Sequence, residues 1–417
     1  MTPVTAPGDD RGPGAVFRIF LRLGLTSFGG PVAHIAFFRD ELVVRRRWLP
    51  ERDYADLVAL CQFLPGPASS QVGMALGLRR AGYAGALAAW AGFTLPSALA
   101  LIALALGLAH SGGALATGAL AGLKVAAVAV VMHAVWAMAR SLCPDTPRRL
   151  LMLVAATLAV TLSGVAGQLA ALLVGAAAGL AGLATPSPPA HPAAPATPGA
   201  DTAGRTPGWR SGIVALVLFA ALLVGLALLA RVTGDPLLVT LDLFYRAGSL
   251  VFGGGHVVLP LLQAEVVTRG WLSADTFLAG YGAAQAVPGP LFTFAAFVGA
   301  ALPAPLGGWG GGLLALVAIF IPAFLLVVGA LPFWERLRTR PRAQAALAGV
   351  NAAVVGLLLA ALLAMLHGGA LSGLGDLALG MGALLALTAG RQSAWRVVLG
   401  CAVLGALAGP WMRTWAA

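Results

Sequence analysis

The chain has 417 residues, of which 59% are hydrophobic and only 10% are charged, and its mean hydropathy is +0.90. Because soluble domains carry about 25% charged residues, this composition excludes an ordinary soluble protein and predicts a membrane protein with several spans. The net charge of +11 comes almost wholly from arginines at the ends of apolar segments, which fits anchoring at the cytoplasmic face better than nucleic-acid binding.

A polar tail, residues 1–16, is followed by a series of apolar segments in which Ala, Leu and Val dominate and no alternating pattern occurs. Helix is the predicted state, since a backbone in lipid must satisfy its own hydrogen bonds. The segments cover 17–38, 54–78, 82–109, 114–139, 150–184, 211–230, 243–262, 276–301, 306–331, 345–367, 370–389 and 394–411. At ~20 residues per span, they predict an all-α polytopic membrane protein with about 10 to 13 membrane segments.

The run 150–184 is long enough for two short crossings, separated near Gly164 to Gly167. Residues 185–210 consist mainly of Pro, Ala, Thr and Gly, which predicts a solvated linker. This linker separates a first repeat, 17–184, from a second repeat, 211–417.

The two halves contain the same motifs in the same order, with equivalent positions 223 to 227 residues apart. Such a match indicates an internal duplication. The aligned residues are Arg22 with Arg246, Phe28-Gly29-Gly30-Pro31 with Phe252-Gly253-Gly254-Gly255, Glu41 with Glu265, Gln62 with Gln285, Pro65-Gly66-Pro67 with Pro288-Gly289-Pro290, and Lys124 with Asn351.

The arginine-rich loop changes position between the halves. In the first half it follows the first apolar segment, and in the second half it follows 306–331, while both counterpart loops carry little charge. Since arginine-rich loops face the cytoplasm, the repeats are predicted to have inverted topologies. The simplest arrangement makes 54–78 a re-entrant hairpin. The arginines concerned are Arg39, Arg45, Arg46, Arg47 and Arg52, then Arg336, Arg338, Arg340 and Arg342.

Each Pro-Gly-Pro triplet lies in an apolar run, where it is expected to break the helix. Proline lacks a backbone donor and obstructs the preceding turn, and glycine has little helical preference. In a membrane the freed backbone groups must face protein or a water-filled cavity, so a broken helix is a candidate substrate site. A simple kink is the alternative. The flanking glutamines, Gln62 and Gln285, belong to the same candidate site.

The glycine runs are the second candidate feature. Glycine allows backbone to unwind and approach a ligand, and free N–H groups at helix N-termini bind anions. Close packing of helices through small residues is the alternative. The candidate residues are Phe28, Gly29, Gly30 and Pro31 in the first half and Phe252, Gly253, Gly254 and Gly255 in the second.

Arg22 and Arg246 lie inside apolar segments, and a guanidinium suits an oxyanion because it donates two parallel hydrogen bonds. Snorkelling to the membrane surface is the alternative. Lys124, the only lysine, lies well inside an apolar segment and is a candidate by the rule that intramembrane charges are functional. Its counterpart Asn351 is not charged, which predicts an asymmetric substrate site.

Four titratable residues are candidates for proton coupling: His34, Glu41, His256 and Glu265. Histidine titrates near neutral pH, although a structural histidine is the commoner case. The glutamates can pair with nearby arginines or take up protons. The three cysteines form no CxxC pair or metal-ligand spacing, and no catalytic or nucleotide-binding motif occurs, so no cofactor, metal or enzymatic activity is predicted.

The paired Phe-Gly-Gly and Pro-Gly-Pro motifs, together with Trp48-Leu49 and the two-half layout, resemble the chromate ion transporter family in its long, two-domain form. The resemblance covers about 17–140 and 243–365 and departs at Gly255, where the first half has proline. It implies a multi-pass protein of the bacterial inner membrane that exports chromate, confers chromate resistance and uses the proton-motive force.

The expected partners are therefore a chromate or sulfate-like oxyanion and the lipid bilayer, with no nucleic acid. A transporter of sulfate or another tetrahedral oxyanion, working in the uptake direction, is the alternative function. A membrane-embedded enzyme or sensor is disfavoured by the missing catalytic motifs. The sequence leaves the oligomeric state open, and a homodimer is one candidate assembly.

Overall fold

A computed structural model describes residues 10–110, 114–162, 165–183, 207–252, 255–334, 340–371 and 373–412. All regular secondary structure in these ranges is helical, with sixteen α-helices and a few short 3₁₀ and π turns, which confirms the predicted all-α fold class. Most of the predicted linker, residues 185–206, and most of the polar tail lie outside the described residues.

Seven helices of the described ranges precede the linker. They are α1 (Pro13–Thr26), α2 (Gly30–Phe38), α3 (Glu51–Phe63), α4 (Ala68–His110), α5 (Ala114–Leu142), α6 (Thr146–Thr161) and α7 (Val165–Leu180). A π-helical turn, Arg39–Arg45, continues α2. The run 150–184 is therefore divided between two helices, with residues 163 and 164 outside the described ranges, and the two predicted crossings stay a prediction.

Within the part of the chain that the structure describes, nine helices follow the linker. They are α8 (Trp209–Thr233), α9 (Pro236–Leu250), α10 (Val258–Val266), α11 (Ala274–Ala286), α12 (Phe294–Ala301), α13 (Gly308–Ala330), α14 (Pro341–His367), α15 (Leu374–Thr388) and α16 (Ala394–Met412). Three 3₁₀ turns connect them at Gly255–Val257, Leu291–Thr293 and Leu331–Phe333.

Five of the described helices are long and apolar enough to cross a membrane: α4, α5, α8, α13 and α14. The other apolar helices are shorter than the ~20 residues that a crossing needs. The structure thus supports a multi-pass membrane protein, while the total of about 10 to 13 segments stays a prediction.

Both Pro-Gly-Pro triplets interrupt the helices. In the first half α3 ends at Phe63 and α4 begins at Ala68, and in the second α11 ends at Ala286 before the 3₁₀ turn that begins at Leu291. Helix α4 bends again at Ala81 and Gly82, whose backbone angles are not helical. This bend separates a short arm, 68–80, from the long part of α4, as the hairpin interpretation of 54–78 requires.

The glycine motifs also interrupt helices, so the apolar segments 17–38 and 243–262 are not single rods. The helix is interrupted between Thr26 and Gly30, and Gly29 in this interruption has a φ of +109°, a conformation that favours glycine. In the second half α9 ends at Leu250 and a 3₁₀ turn begins at Gly255. Gly253 and Gly254, which were predicted to form this break, lie outside the described residues.

Helices of the two halves pack against each other in matching pairs. Helix α16 lies on α5, and the equivalent α7 lies on α14. Glycines allow these close approaches: a Cβ on Gly122 would lie 2.0 Å from the carbonyl oxygen of Cys401, and a Cβ on Gly349 would lie 2.0 Å from that of Gly175. This reciprocal packing brings the interrupted helices of both halves together in one body.

Candidate functional site

Two backbone hydrogen bonds join the halves at their breaks. The N–H of Gly66, in the first Pro-Gly-Pro turn, donates to the carbonyl oxygen of Val251 at 2.7 Å. The N–H of Gly289, in the second turn, donates to the carbonyl oxygen of Ser27 at 3.1 Å. Ser27 and Val251 are equivalent positions, so each proline-glycine turn is bound to the glycine break of the other half.

Glycine is required at the centre of both turns. Gly66 and Gly289 have φ angles of +117° and +106°, which side chains of L-residues rarely adopt. A Cβ on Gly289 would lie 2.8 Å from Ser97 Oγ, and a Cβ on Gly66 would lie 3.5 Å from the Cβ of Ala323. Ser97 and Ala323 are equivalent residues of α4 and α13, so the same turn geometry occurs twice.

Two helices begin directly at the breaks, so their N-termini lie there. Helix α2 starts at Gly30 without a side-chain cap on its N-terminal N–H groups, and the short arm of α4 starts at Ala68 directly after Pro67. The first N–H groups of a helix lack intrahelical partners and carry partial positive charge. Both N-termini belong to the first half, and N–H groups of this kind are the ones that bind anions in other proteins.

Buried polar side chains surround the break of the first half. The His34 ring contacts the hydroxyl of Ser69 at 3.4 Å and packs edge-on against Phe93. Gln71 Nε2 donates to the carbonyl oxygen of Pro65 at 2.8 Å. Several buried atoms here have no hydrogen-bond partner in the described ranges: Ser27 Oγ, His34 Nε2, Ser70 Oγ, Gln71 Oε1 and Thr94 Oγ1.

Buried polar atoms without partners are rare in folded proteins, and they usually bind water or a ligand. In this protein they cluster where backbone is already unwound, next to the N-terminus of the short arm of α4. A hydrated anion site is consistent with that combination, because hydroxyl and amide groups can donate to an oxyanion.

The second half has its own buried polar group. His256 Nδ1 lies 2.8 Å from the hydroxyl of Tyr281. Gln285 Nε2 and Asn351 Oδ1 are buried atoms without hydrogen-bond partners in the described ranges. Each half thus places a histidine and a glutamine near its break, His34 and Gln71 in the first and His256 and Gln285 in the second, and the predicted asymmetry of the site stays a prediction.

The predicted arginines differ in their surroundings. Arg246 is largely buried and hydrogen bonds Asp242, and its other terminal nitrogen lies 3.4 Å from Glu265. Arg22 is exposed and lines an open cleft of about 570 Å³, together with Arg18, Thr26 and Glu41. Neither Arg18 nor Arg22 has an ion-pair or side-chain hydrogen-bond partner in the part of the chain that the structure describes.

The other predicted charged residues are paired. Lys124 Nζ lies 3.1 Å from Asp275 Oδ1, so Lys124 is paired and is not an isolated cation inside the protein. The Asp275 side chain itself is 75% exposed. Glu41 binds Arg46 at 2.8 Å and Arg45 at 3.4 Å. The equivalent Glu265 binds Arg269 at 2.7 Å in addition to its contact with Arg246.

The remaining candidates contribute less to the breaks. Phe28 packs against Trp395 of α16, with ring centroids 5.1 Å apart, and Phe252 packs against the main hydrophobic core. Gln62 is exposed on α3, whereas the nearby Gln71 takes the buried position beside Pro65. Pro31, Pro288 and Pro290 lie at the breaks as expected.

Sequence reasoning did not select several residues of this region. Ser69, Ser70 and Gln71 directly follow a Pro-Gly-Pro triplet in an apolar run, and this position could have identified them. Asp242 lies four residues before Arg246 on the same helix face, which is also readable from sequence. In the described ranges no three His, Cys, Asp or Glu side chains come together as a metal site.

Discontinuous helices that meet between two repeats occur in membrane transporters, and the fold of this chain fits that class. The chain belongs to the chromate transporter family, whose sequence model matches residues 14–183 and 238–406. No solved structure matches the chain significantly.

Similar proteins occur in several bacteria. The chain is 31% identical over 349 residues to the chromate transport protein of Pseudomonas aeruginosa, covering 82% of this chain and 78% of that protein. It is 28% identical to the probable chromate transport protein of Synechococcus elongatus, covering 81% of each chain. It is also 28% identical to the chromate transport protein of Cupriavidus metallidurans, over 83% of this chain and 80% of that one.

Proposed function

We propose that this protein is a secondary transporter of the bacterial inner membrane that exports chromate and thereby confers chromate resistance. Chromate is a dianion with four acceptor oxygens, and the proposal assigns no covalent step to the protein. The observation that carries the proposal is the reciprocal pair of hydrogen bonds, Gly66 to Val251 and Gly289 to Ser27. These bonds place unwound backbone of both halves at one interface, where transporters of this architecture bind their substrates.

The proposed binding residues are those at the breaks. Backbone N–H groups that follow Gly29 and Pro67, with the hydroxyls of Ser27 and Ser70, supply donors to the oxyanion. Membership of the chromate transporter family and the names of the bacterial relatives support chromate as the substrate.

The proposed direction is outward. The open cleft at Arg22 lies beside Arg45 and Arg46, which belong to the loop that the positive-inside rule assigns to the cytoplasm. A dianion loaded there leaves a cell of negative interior potential with a gain of about 2.3 kcal/mol per charge per 100 mV. Uptake of the same dianion would need coupling to protons or another cation.

We further propose that proton movement drives the return of the empty carrier. Four groups are candidates: buried His34 and partly buried His256 can relay protons, and Glu41 and Glu265 can exchange an arginine partner for a proton. Glu265→Gln keeps the volume of the side chain and removes its charge, so this variant tests whether Glu265 takes part in proton coupling.

Transport in vesicles of defined orientation tests the function. Everted membrane vesicles that contain the protein are expected to accumulate chromate under an imposed pH gradient, and excess sulfate is expected to compete because it has the same shape and charge. Vesicles without the protein are the control. Accumulation only in right-side-out vesicles would contradict export and would favour oxyanion uptake. Accumulation in neither orientation would contradict the proposed substrate.

A further inference from the structure

The clefts at Arg22 and Arg246 are equivalent positions of the two repeats but differ greatly in size. Ile19, Arg22, Thr26 and Glu41 line the first cleft, and the corresponding Leu243, Arg246, Leu250 and Glu265 line the second. The first has a volume of about 570 Å³ and the second about 10 Å³. The second cleft is thus no larger than the ~10–15 Å³ that a single water requires.

One substitution between the repeats accompanies this difference. Position 18 is arginine, whereas the equivalent position 242 is aspartate. In α9 the Asp242 carboxylate binds Arg246 from one turn away, and Glu265 binds the same guanidinium from α10. Two internal carboxylates therefore neutralise the charge of Arg246, whose side chain is largely buried, although its Nε has no hydrogen-bond partner in the described ranges.

In α1 the same helix face carries two cations and no anion. Arg18 and Arg22 lie one turn apart, so their side chains share a face. Glu41, the counterpart of Glu265, is held instead by Arg45 and Arg46, and Asp10 binds Arg46 at 2.7 Å. Asp40, which also lines the cleft, lies 3.7 Å from Arg39. Asp10 and Glu41 are thus paired with Arg45 and Arg46, and among the described residues no carboxylate forms an ion pair with Arg18 or Arg22.

We propose that Arg18 and Arg22 form the first docking site for a tetrahedral dianion, which takes the place that the Asp242 and Glu265 carboxylates occupy around Arg246. This inference rests on the proposed transport function and adds Arg18 as a specificity residue. Two arginines match a dianion in charge, and each guanidinium can donate two parallel hydrogen bonds to it. The cleft leads along α1 to Thr26, directly before the break at Ser27, so the docked anion lies on a path to the break.

Introducing the aspartate of the second repeat into the first tests the proposal. Arg18→Asp places a carboxylate one turn before Arg22, as Asp242 stands before Arg246, and is expected to weaken dianion binding about tenfold or more, equal to about 1.4 kcal/mol. Arg18→Gln removes a cation without adding an internal anion and is expected to weaken binding less. Arg231→Asp and Arg231→Gln are matched controls, since Arg231 is an exposed arginine on α8 far along the chain from the cleft.

Binding is measured on the purified full chain in phosphatidylcholine nanodiscs by calorimetric titration with chromate and, separately, with sulfate. In proteoliposomes the same variants are expected to raise KM with little change in the maximal rate, because the residues act at entry. A purely structural role for Arg18 would instead lower the maximal rate and the melting temperature. Unchanged dissociation constants in Arg18→Asp would overturn the proposal, and so would losses of the same size in the Arg231 variants.

Lipid headgroups carry the same chemistry, and nanodiscs that contain phosphatidylglycerol distinguish that source. If Arg18→Asp lost only bound anionic lipid and kept its affinity for both free anions, the cleft would be a headgroup site and the proposal would be wrong. The tests also separate this inference from the transport proposal. If Arg18→Asp exports chromate with unaltered affinity, only the docking site is wrong. If the protein binds sulfate but not chromate, and Arg18→Asp weakens that sulfate binding, only the proposed substrate is wrong.

Discussion

At the scale of single residues, glycine in the two Pro-Gly-Pro turns is the most constrained feature. Gly66 and Gly289 donate hydrogen bonds across the interface of the halves while they hold positive φ angles. Proline on each side fixes the neighbouring backbone, and the residue before a proline is kept out of helical conformation. The turn is therefore rigid, and the orientation of its N–H group is set by the backbone.

Replacing Gly289 with alanine is expected to destabilise the protein and to lower transport. The left-handed conformation costs an L-residue about 1–2 kcal/mol, and the new Cβ would lie 2.8 Å from Ser97 Oγ. Thermal unfolding in detergent and initial transport rates measure the two effects. Gly225→Ala is the matched control, because Gly225 lies inside α8 with nothing within 4 Å of an added Cβ, and alanine is the better helix former there. Equal melting temperatures for the two variants would contradict the constraint.

At the scale of helices, the broken elements were predictable and their partners were not. Pro-Gly-Pro disfavours helix through local backbone chemistry, which sequence shows directly. The pairing of Lys124 with Asp275 joins residues 151 positions apart, and only tertiary packing reveals it. Gln62 was predicted to bind substrate because a glutamine precedes the Pro-Gly-Pro triplet in both halves. The buried glutamine beside Pro65 is instead Gln71, which lies on the next helix. Local signals thus located the breaks, while the lining of the site depended on which helix faces inward.

Helix α6 shows how one loop residue fixes an element. Asp145 precedes the helix and accepts hydrogen bonds from the backbone N–H of Arg148 at 2.9 Å and from its side chain at 2.7 Å. The backbone hydrogen bond, followed by the Arg148 side chain, lowers the pKa of Asp145, a group that lies outside the membrane-spanning segments. The carboxylate form is therefore the one that caps α6.

Asp145→Ala is expected to reduce stability by about 1 kcal/mol at neutral pH, the usual cost of losing an N-cap residue. Because the folded pKa is depressed, this stabilisation is present above the unfolded pKa of about 3.9 and is lost as pH falls through the lower, folded value. The difference in melting temperature between wild type and variant should accordingly be constant near neutral pH and shrink in acid. A difference that stays constant down to the lowest accessible pH would contradict the role of the charge.

At the scale of the whole molecule, the topology prediction concerns which loops share a face. The arginine-rich loops of both halves are predicted to lie in the cytoplasm, and Arg336 and Arg338 of the second loop lie outside the described residues. The reciprocal contacts between equivalent elements are what a two-fold relation of the repeats would produce, but the orientation in the bilayer remains a prediction.

Single cysteines introduced at positions 45 and 340 test that prediction. Both are expected to react with an impermeant thiol reagent in everted vesicles and to be protected in intact cells, whereas a cysteine at position 304 is expected to show the reverse. The native Cys61, Cys143 and Cys401 are all buried, so background labelling is expected to be low. Labelling of positions 45 and 340 from opposite faces would contradict inverted repeats.

The exchanged packing of α7 on α14 and α16 on α5 has a consequence for assembly. The last helices of each half pack on a long helix of the other half. If one half were present alone, the face of its long helix that these helices cover would be exposed to lipid. Two separately synthesised halves must therefore find each other before either is complete, and joining them in one polypeptide raises their effective concentration and sets the one-to-one ratio.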